Sequence, residues 1–76
     1  MIKVYTTNSC PWCVKAKDYL TKKGVEFTAL NVQEDMNARE EMVNKSKQMG
    51  VPVLDINGTI IVGFDKPAID KALANA

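Results

Sequence analysis

Cys10-Pro11-Trp12-Cys13 follows closely on a short alternating run, and few folds accommodate that arrangement. Ile2 to Thr6 alternates apolar and polar residues and includes β-branched and aromatic types, the pattern of a strand. Thr7-Asn8-Ser9 is a polar turn. Proline is favoured at the first helical position, where its missing N–H is no loss, so a helix is predicted from about Pro11. Cys13, Ala16 and Leu20 then share one face, with Lys15, Lys17 and Asp18 mainly outward. Lys22-Lys23-Gly24 ends it, placing cations at the negative pole and glycine as a C-terminal cap. Two cysteines at this spacing on a first helical turn approach closely enough for a disulfide.

The remaining chain extends the same alternation of elements. Val25 to Val32, with Phe27, Ala29 and Leu30, predicts a second strand. Asn37 followed by Glu40 resembles a capping box, with Asp35 as the other candidate cap, and a second helix is expected to run to about Met49. Ala38, Met42, Val43 and Met49 form its apolar stripe, Met36, Met42 and Met49 read as core filling, and Gly50 as the stop. Val51-Pro52-Val53-Leu54-Asp55-Ile56 predicts a third strand, Asn57-Gly58 a tight hairpin and Thr59 to Val62 a fourth strand. Gly63-Phe64 leads to Asp65, a suitable N-cap for a last helix carrying Ile69, Ala72 and Leu73. The order is β-α-β-α-β-β-α. It predicts an α/β fold in which a four-stranded mixed sheet, with a right-handed parallel β-α-β unit and an antiparallel hairpin, is covered by three helices. Residues 1–76 read as a single domain without linker or repeat.

Composition narrows the function. Ten basic and nine acidic residues leave a net charge of +1, so nothing directs the chain to nucleic acid or to an anionic membrane. No run approaches the roughly 18 apolar residues of a membrane span. The first residues show no signal-peptide core, and a cytoplasmic protein is expected. In a reducing compartment a close cysteine pair points to catalysis or metal binding rather than to a structural staple. The chain contains no histidine, which excludes Cys–His catalysis, histidine general bases and a one-chain Cys₂His₂ zinc site; no residue is assigned to a metal.

Position gives the two cysteines different roles. Cys10 falls at or just before the helix N-terminus, where free N–H groups and the dipole favour negative charge. A thiol there drops from roughly 8.5 toward a range of about 3.5–7.5. Lys15 and Lys17 add a smaller, solvent-screened contribution. Cys13, one turn inside, stays a thiol until needed. The Cys10 thiolate attacks a disulfide, and Cys13 then resolves the mixed disulfide. Trp12 is expected on the rim as an apolar contact, or simply packed on a neighbour. Lys15, Lys17, Lys22 and Lys23 read most simply as a solvated helix face. Proline inside a strand is confined to edges or irregular positions, and pattern alone leaves the Val51–Pro52 bond trans or cis.

Cys10-Pro11-Trp12-Cys13 after the first strand, Gly50-Val51-Pro52-Val53 before the hairpin and Val62-Gly63-Phe64-Asp65 before the last helix together resemble a glutaredoxin over essentially the whole chain. The resemblance implies the thioredoxin fold, a cis Pro52, Cys10 as nucleophile and Cys13 as resolving residue. It implies substrate contacts from Pro11, Trp12, Val51, Pro52, Gly63, Phe64 and Asp65. It also implies dithiol–disulfide exchange with disulfide-containing proteins, no bound cofactor, and glutathione or thioredoxin reductase as reductant. The expected state is a monomer.

The departures from the family pattern are specific. The usual T-V-P is Gly50-Val51-Pro52, the G-G followed by Cys or Ser and Asp is Val62-Gly63-Phe64-Asp65, and a basic residue often found before the cysteines is Thr7. Gly63-Phe64 is also similar to part of the W-S-G-F-R-P-D segment of redoxins that serve ribonucleotide reductase, without its tryptophan and arginine. Weaker glutathione contacts follow, and thioredoxin reductase is expected to serve at least as well as glutathione. The alternatives are a dimeric glutaredoxin holding an iron–sulfur cluster, a redoxin dedicated to ribonucleotide reductase, and an adaptor with idle cysteines.

Overall fold

In a computed structural model, residues 2–74 form seven elements, and Met1, Asn75 and Ala76 of the single domain read from the sequence lie outside the described residues. In chain order these are β1 (Ile2–Thr6), α1 (Pro11–Lys22), β2 (Thr28–Asn31), α2 (Met36–Ser46), β3 (Val53–Ile56), β4 (Thr59–Val62) and α3 (Lys66–Ala74). The sheet order is β2-β1-β3-β4, with β1 parallel to β2 and antiparallel to β3, and β3 antiparallel to β4. The α/β fold with a four-stranded mixed sheet and three helices is as expected. Among the described residues no helix is long and apolar enough to cross a membrane.

Alternation along β1 and β3 sends side chains to two separate cores. Val4, Leu54 and Ile56 face α1 and α3, where they meet Ala16, Leu20, Ile69 and Ala72. Tyr5 and Val53 face α2 and meet Ala38 and Met42. Each fully buried aliphatic side chain contributes about 1.5–3 kcal/mol. The central strands β1 and β3 therefore anchor both layers, and the cysteine turn follows directly from the C-terminal end of β1.

Local signals set several boundaries as read. Cys10 is the N-cap of α1 in extended conformation with Pro11 at the first turn. Asn57 and Gly58 both take positive φ, 52° and 98°, which a two-residue hairpin turn requires and glycine adopts without strain. Of the two cap candidates for α2, Asp35 is the one used: its carboxylate accepts from the Ala38 N–H at 3.1 Å.

Other boundaries move for reasons outside their own segments. β2 begins at Thr28 rather than Val25: its parallel pairing with β1 starts at the Lys3–Thr28 pair, and Val25 and Phe27 pack on the core instead. α2 ends at Ser46, not near Met49. The Ser46 hydroxyl donates back to the Met42 carbonyl at 2.7 Å, and Lys47 takes the left-handed conformation that closes the helix. Met49 consequently leaves the helix, and of the three methionines read as core filling only Met42 is buried; Met36 and Met49 are 63% and 59% exposed. β3 begins at Val53, since Pro52 has no N–H to offer a ladder.

A polar network ties α2 to the sheet. Lys45 donates to Asp55 at 2.6 Å and to Glu41 at 3.2 Å, Lys3 donates to Glu41 at 2.9 Å, and the buried Tyr5 hydroxyl also donates to Glu41. Burial and the Glu41 contact push the Tyr5 hydroxyl up to about 12, and the same hydroxyl with the two lysines pulls Glu41 down to about 2. Burial alone would raise the Asp55 carboxyl; its bonds from Lys45 and the Gly58 N–H more than reverse that.

Both carboxyls therefore titrate lower folded than unfolded, where they lie near roughly 4.3 and 3.9. Their stabilisation is complete above those values and drains away as pH falls below them, for Glu41 toward about 2, because the unfolded chain takes up protons first. The Glu41 side chain is 37% exposed. Solvent screening therefore holds its share to about 1 kcal/mol or less. The urea midpoint should fall between about pH 5 and 2, and Glu41→Gln should flatten that fall. An identical slope in the variant would remove Glu41 from the account.

Candidate active site

Cys10 and Cys13 form a disulfide across the first turn of α1, with Cα atoms 5.2 Å apart. The Cys13 N–H is shared between the Cys10 carbonyl and the Cys10 Sγ, at 3.1 Å from each, so a donor at the helix start is directed at that sulfur. No acidic residue occupies the first turn of α1 to oppose a negative charge there. Cys13 is fully buried, whereas Cys10 is only half-buried. The two cysteines thus differ in exposure and in the donors around them.

The Val51–Pro52 peptide bond is cis. The loop around it is held from both sides. The Gln48 side chain brackets Gly50, accepting from its N–H at 2.6 Å and donating to its carbonyl at 3.0 Å. From the other side the Gly63 N–H donates to the Pro52 carbonyl at 2.8 Å. Gly63 has φ +83°, a conformation that favours glycine. Among the described residues no hydrogen bond engages the backbone of Val51. Gln48 has no signal in sequence: its role depends on where α2 stops.

Phe64 carries the site toward α1. Its ring lies 6.4 Å from Trp12 and 5.7 Å from Tyr19, edge to face with the latter. Trp12 is 55% exposed, and Lys15 Nζ sits 4.4 Å above its ring. Trp12 is thus both exposed and packed on a neighbouring ring. Asp65 caps α3 through the Ala68 N–H at 3.3 Å and remains exposed. Val62, one residue before Gly63, is 52% exposed.

On the α2 side, Thr7 shares a groove with Arg39, Gln33 and Met49. Arg39 forms no salt bridge among the described residues. The immediate sequence neighbours of Thr7 include no base, so nothing local marks one on this side of the cysteines. Arg39 is brought there by the packing of α2 under β1.

A thioredoxin-fold sheet, a disulfide across the first turn of a helix and a cis proline in the adjoining loop define a redoxin. Comparison with known proteins narrows this. The glutaredoxin family profile matches residues 2–61. The chain is 56% identical to a glutaredoxin-like 8.6 kDa protein of the rubredoxin operon of Clostridium pasteurianum, over 96% of this chain and 97% of that one. It is 38% identical to glutaredoxin 3 of Escherichia coli K12, over 84% of this chain and 77% of the relative. The solved structure of methanoredoxin from Methanosarcina acetivorans superposes with a TM-score of 0.86 at 31% identity, covering 95% of this chain and 82% of that one. The chain belongs to the glutaredoxin family.

Proposed function

We propose that this protein is a dithiol–disulfide oxidoreductase that reduces protein or glutathione mixed disulfides through Cys10 and Cys13. The observation that carries this reading is the asymmetry of the pair: a half-buried Cys10 whose Sγ receives an N–H at the start of α1, and a fully buried Cys13 one turn behind it. In the reduced protein the Cys10 thiolate attacks one sulfur of the substrate disulfide. A Cys10–substrate bond forms, and the other sulfur leaves as a thiolate. Cys13 then loses its proton and attacks Cys10. The substrate departs as its second thiolate, and two electrons have passed from the protein dithiol to the substrate.

The neighbouring residues fit the remaining roles. The backbone of Val51, fixed by Gln48, Pro52 and Gly63, is available to pair with an extended substrate beside the cysteines. Trp12 and Phe64 offer apolar contact, and Asp65 can receive an amino group while it caps α3. Pro11 sets the helix start. The reaction calls for no bound cofactor, and a cytoplasmic monomer reduced by glutathione or thioredoxin reductase suits it.

The reductant is the finer question. A glutathione carboxylate finds Arg39 in the groove beside Thr7, while the Val62 side chain stands where close backbone approach is wanted. Loss of one charge-assisted contact is worth about 1.5–3 kcal/mol, tenfold or more in binding. In coupled assays under matched conditions, thioredoxin reductase should drive turnover at least as fast as glutathione with its reductase. Arg39→Gln should slow only the glutathione arm, about tenfold. Fast, saturable reduction by glutathione with none from thioredoxin reductase would defeat the expected order.

A further inference from the structure

We propose that the groove between α1 and the entry to α3, floored by Trp12, Tyr19 and Phe64, is the docking surface for an acidic, partly apolar segment of this protein's disulfide partners. The proposal rests on the dithiol reading above and names the partner chemistry of the same site.

The groove opens at Trp12, which lies between the two cysteines, and runs along α1 away from them. Its floor is aromatic, with Phe64 packed between Trp12 and Tyr19. Its walls carry Lys15, Lys22 and Lys66 with the Asp18 carboxylate, and at its edge Asp70 accepts from the Tyr19 hydroxyl and pairs with Lys23, which leaves four lysines against two carboxylates. Among the described residues none of Lys15, Lys22 and Lys66 forms a salt bridge, whereas Lys3, Lys23 and Lys45 all do. The chain as a whole carries only +1, so this is a local excess of positive charge.

Two of these lysines, Lys15 and Lys66, are also placed over the floor. Lys15 Nζ stands 4.4 Å over Trp12, and Lys66 Nζ stands 5.6 Å over Tyr19 and 5.7 Å over Phe64. A cation held over a ring keeps its solvent side open to a carboxylate and loses less freedom when one binds. Ammonium groups above a partly exposed aromatic floor complement carboxylates interleaved with apolar side chains. Because the groove starts beside the disulfide, such a segment would flank the partner's own reactive cysteine.

Single-cysteine peptides, with the cysteine blocked as its mixed disulfide with thionitrobenzoate, test this with the reduced protein. Attack by Cys10 forms the Cys10–peptide bond and releases coloured thionitrobenzoate. At low salt, a peptide flanked by Glu and Leu should react about tenfold faster than one flanked by Lys and Leu. The ratio should approach one near about 1 M salt. Lys22→Gln/Lys66→Gln should cut the ratio at least about threefold, and Lys47→Asn, at the far end of α2, should leave it alone. Because the readout is a ratio, a general change in thiol reactivity cancels. Equal rates for the two peptides, or a preference that survives the double substitution, would overturn the proposal.

If no peptide releases thionitrobenzoate, the dithiol reading has failed. The docking surface is then judged by Trp12 fluorescence on titration with the acidic peptide carrying serine for cysteine. Saturable binding that the double variant loses upholds the surface, and absence of binding sinks it.

Discussion

Cys10→Ser is expected to abolish disulfide reduction, and Cys13→Ser to stop it halfway as a stable mixed disulfide. The two thiols share a sequence motif but not an environment. Cys10 caps α1, receives the Cys13 N–H at 3.1 Å and retains solvent access. Cys13 lies in the first turn with no exposed surface. A thiolate gains most at the helix start, and there the substrate can reach it. Removing it should lower the exchange rate at least about a thousandfold, the scale of losing a nucleophile. Removing Cys13 leaves the first attack intact and eliminates the resolving one, so a covalent adduct accumulates. Mass spectrometry should find partner protein bound through Cys10 in Cys13→Ser alone. In the reduced wild type, alkylation should label Cys10 first, at a pH below the roughly 8.5 of an ordinary thiol. Labelling of Cys13 first would reverse the roles, and unchanged turnover by Cys10→Ser would end the mechanism.

Leu54→Ala should be the most damaging single truncation outside the cysteines. Leu54 lies on β3, pairs with Val4 on one side and Ile61 on the other, and is fully buried among residues of both α1 and α3. The sheet cannot close around a missing side chain at this point, because its neighbours are fixed by two ladders. Such truncations cost about 2–5 kcal/mol. A domain of this length has about 4–11 kcal/mol in all, so the loss consumes a large share of it. Urea unfolding should show the drop in midpoint with little change in slope. Val14→Ala, half-exposed on α1, should stay within about 0.5 kcal/mol of wild type. A Leu54→Ala loss below about 1 kcal/mol would mean that the helices collapse onto the gap.

Elements whose signals lie within a few residues are legible in the amino-acid sequence. The start of α1 is one: Pro11 supplies the right φ and lacks only an N–H that would have no partner. The hairpin is another, since Asn57 and Gly58 tolerate the positive φ that the turn demands. Cys10 and Cys13, one helical turn apart, belong to the same group. The stop of α2 is harder to see, because Gly50 looks like the terminator although Ser46 and Lys47 close the helix first.

Periodicity, capping and turn chemistry act between near neighbours, and they suffice for the order of elements, the cysteine pair at the start of α1, and the family resemblance. The remaining features depend on how distant segments pack. The Val51–Pro52 isomer depends on what surrounds the loop, and Gln48 and Gly63 approach it from different parts of the chain. Arg39 reaches the Thr7 groove only when α2 lies against the sheet. Lys3, Tyr5, Glu41, Lys45 and Asp55 become one network only when β1, α2 and β3 meet. The lysine-lined aromatic groove likewise needs Phe64 and Lys66 beside a helix some fifty positions earlier in the chain. Such contacts carry no local signature, since each arises from distant segments burying their apolar faces against a common sheet.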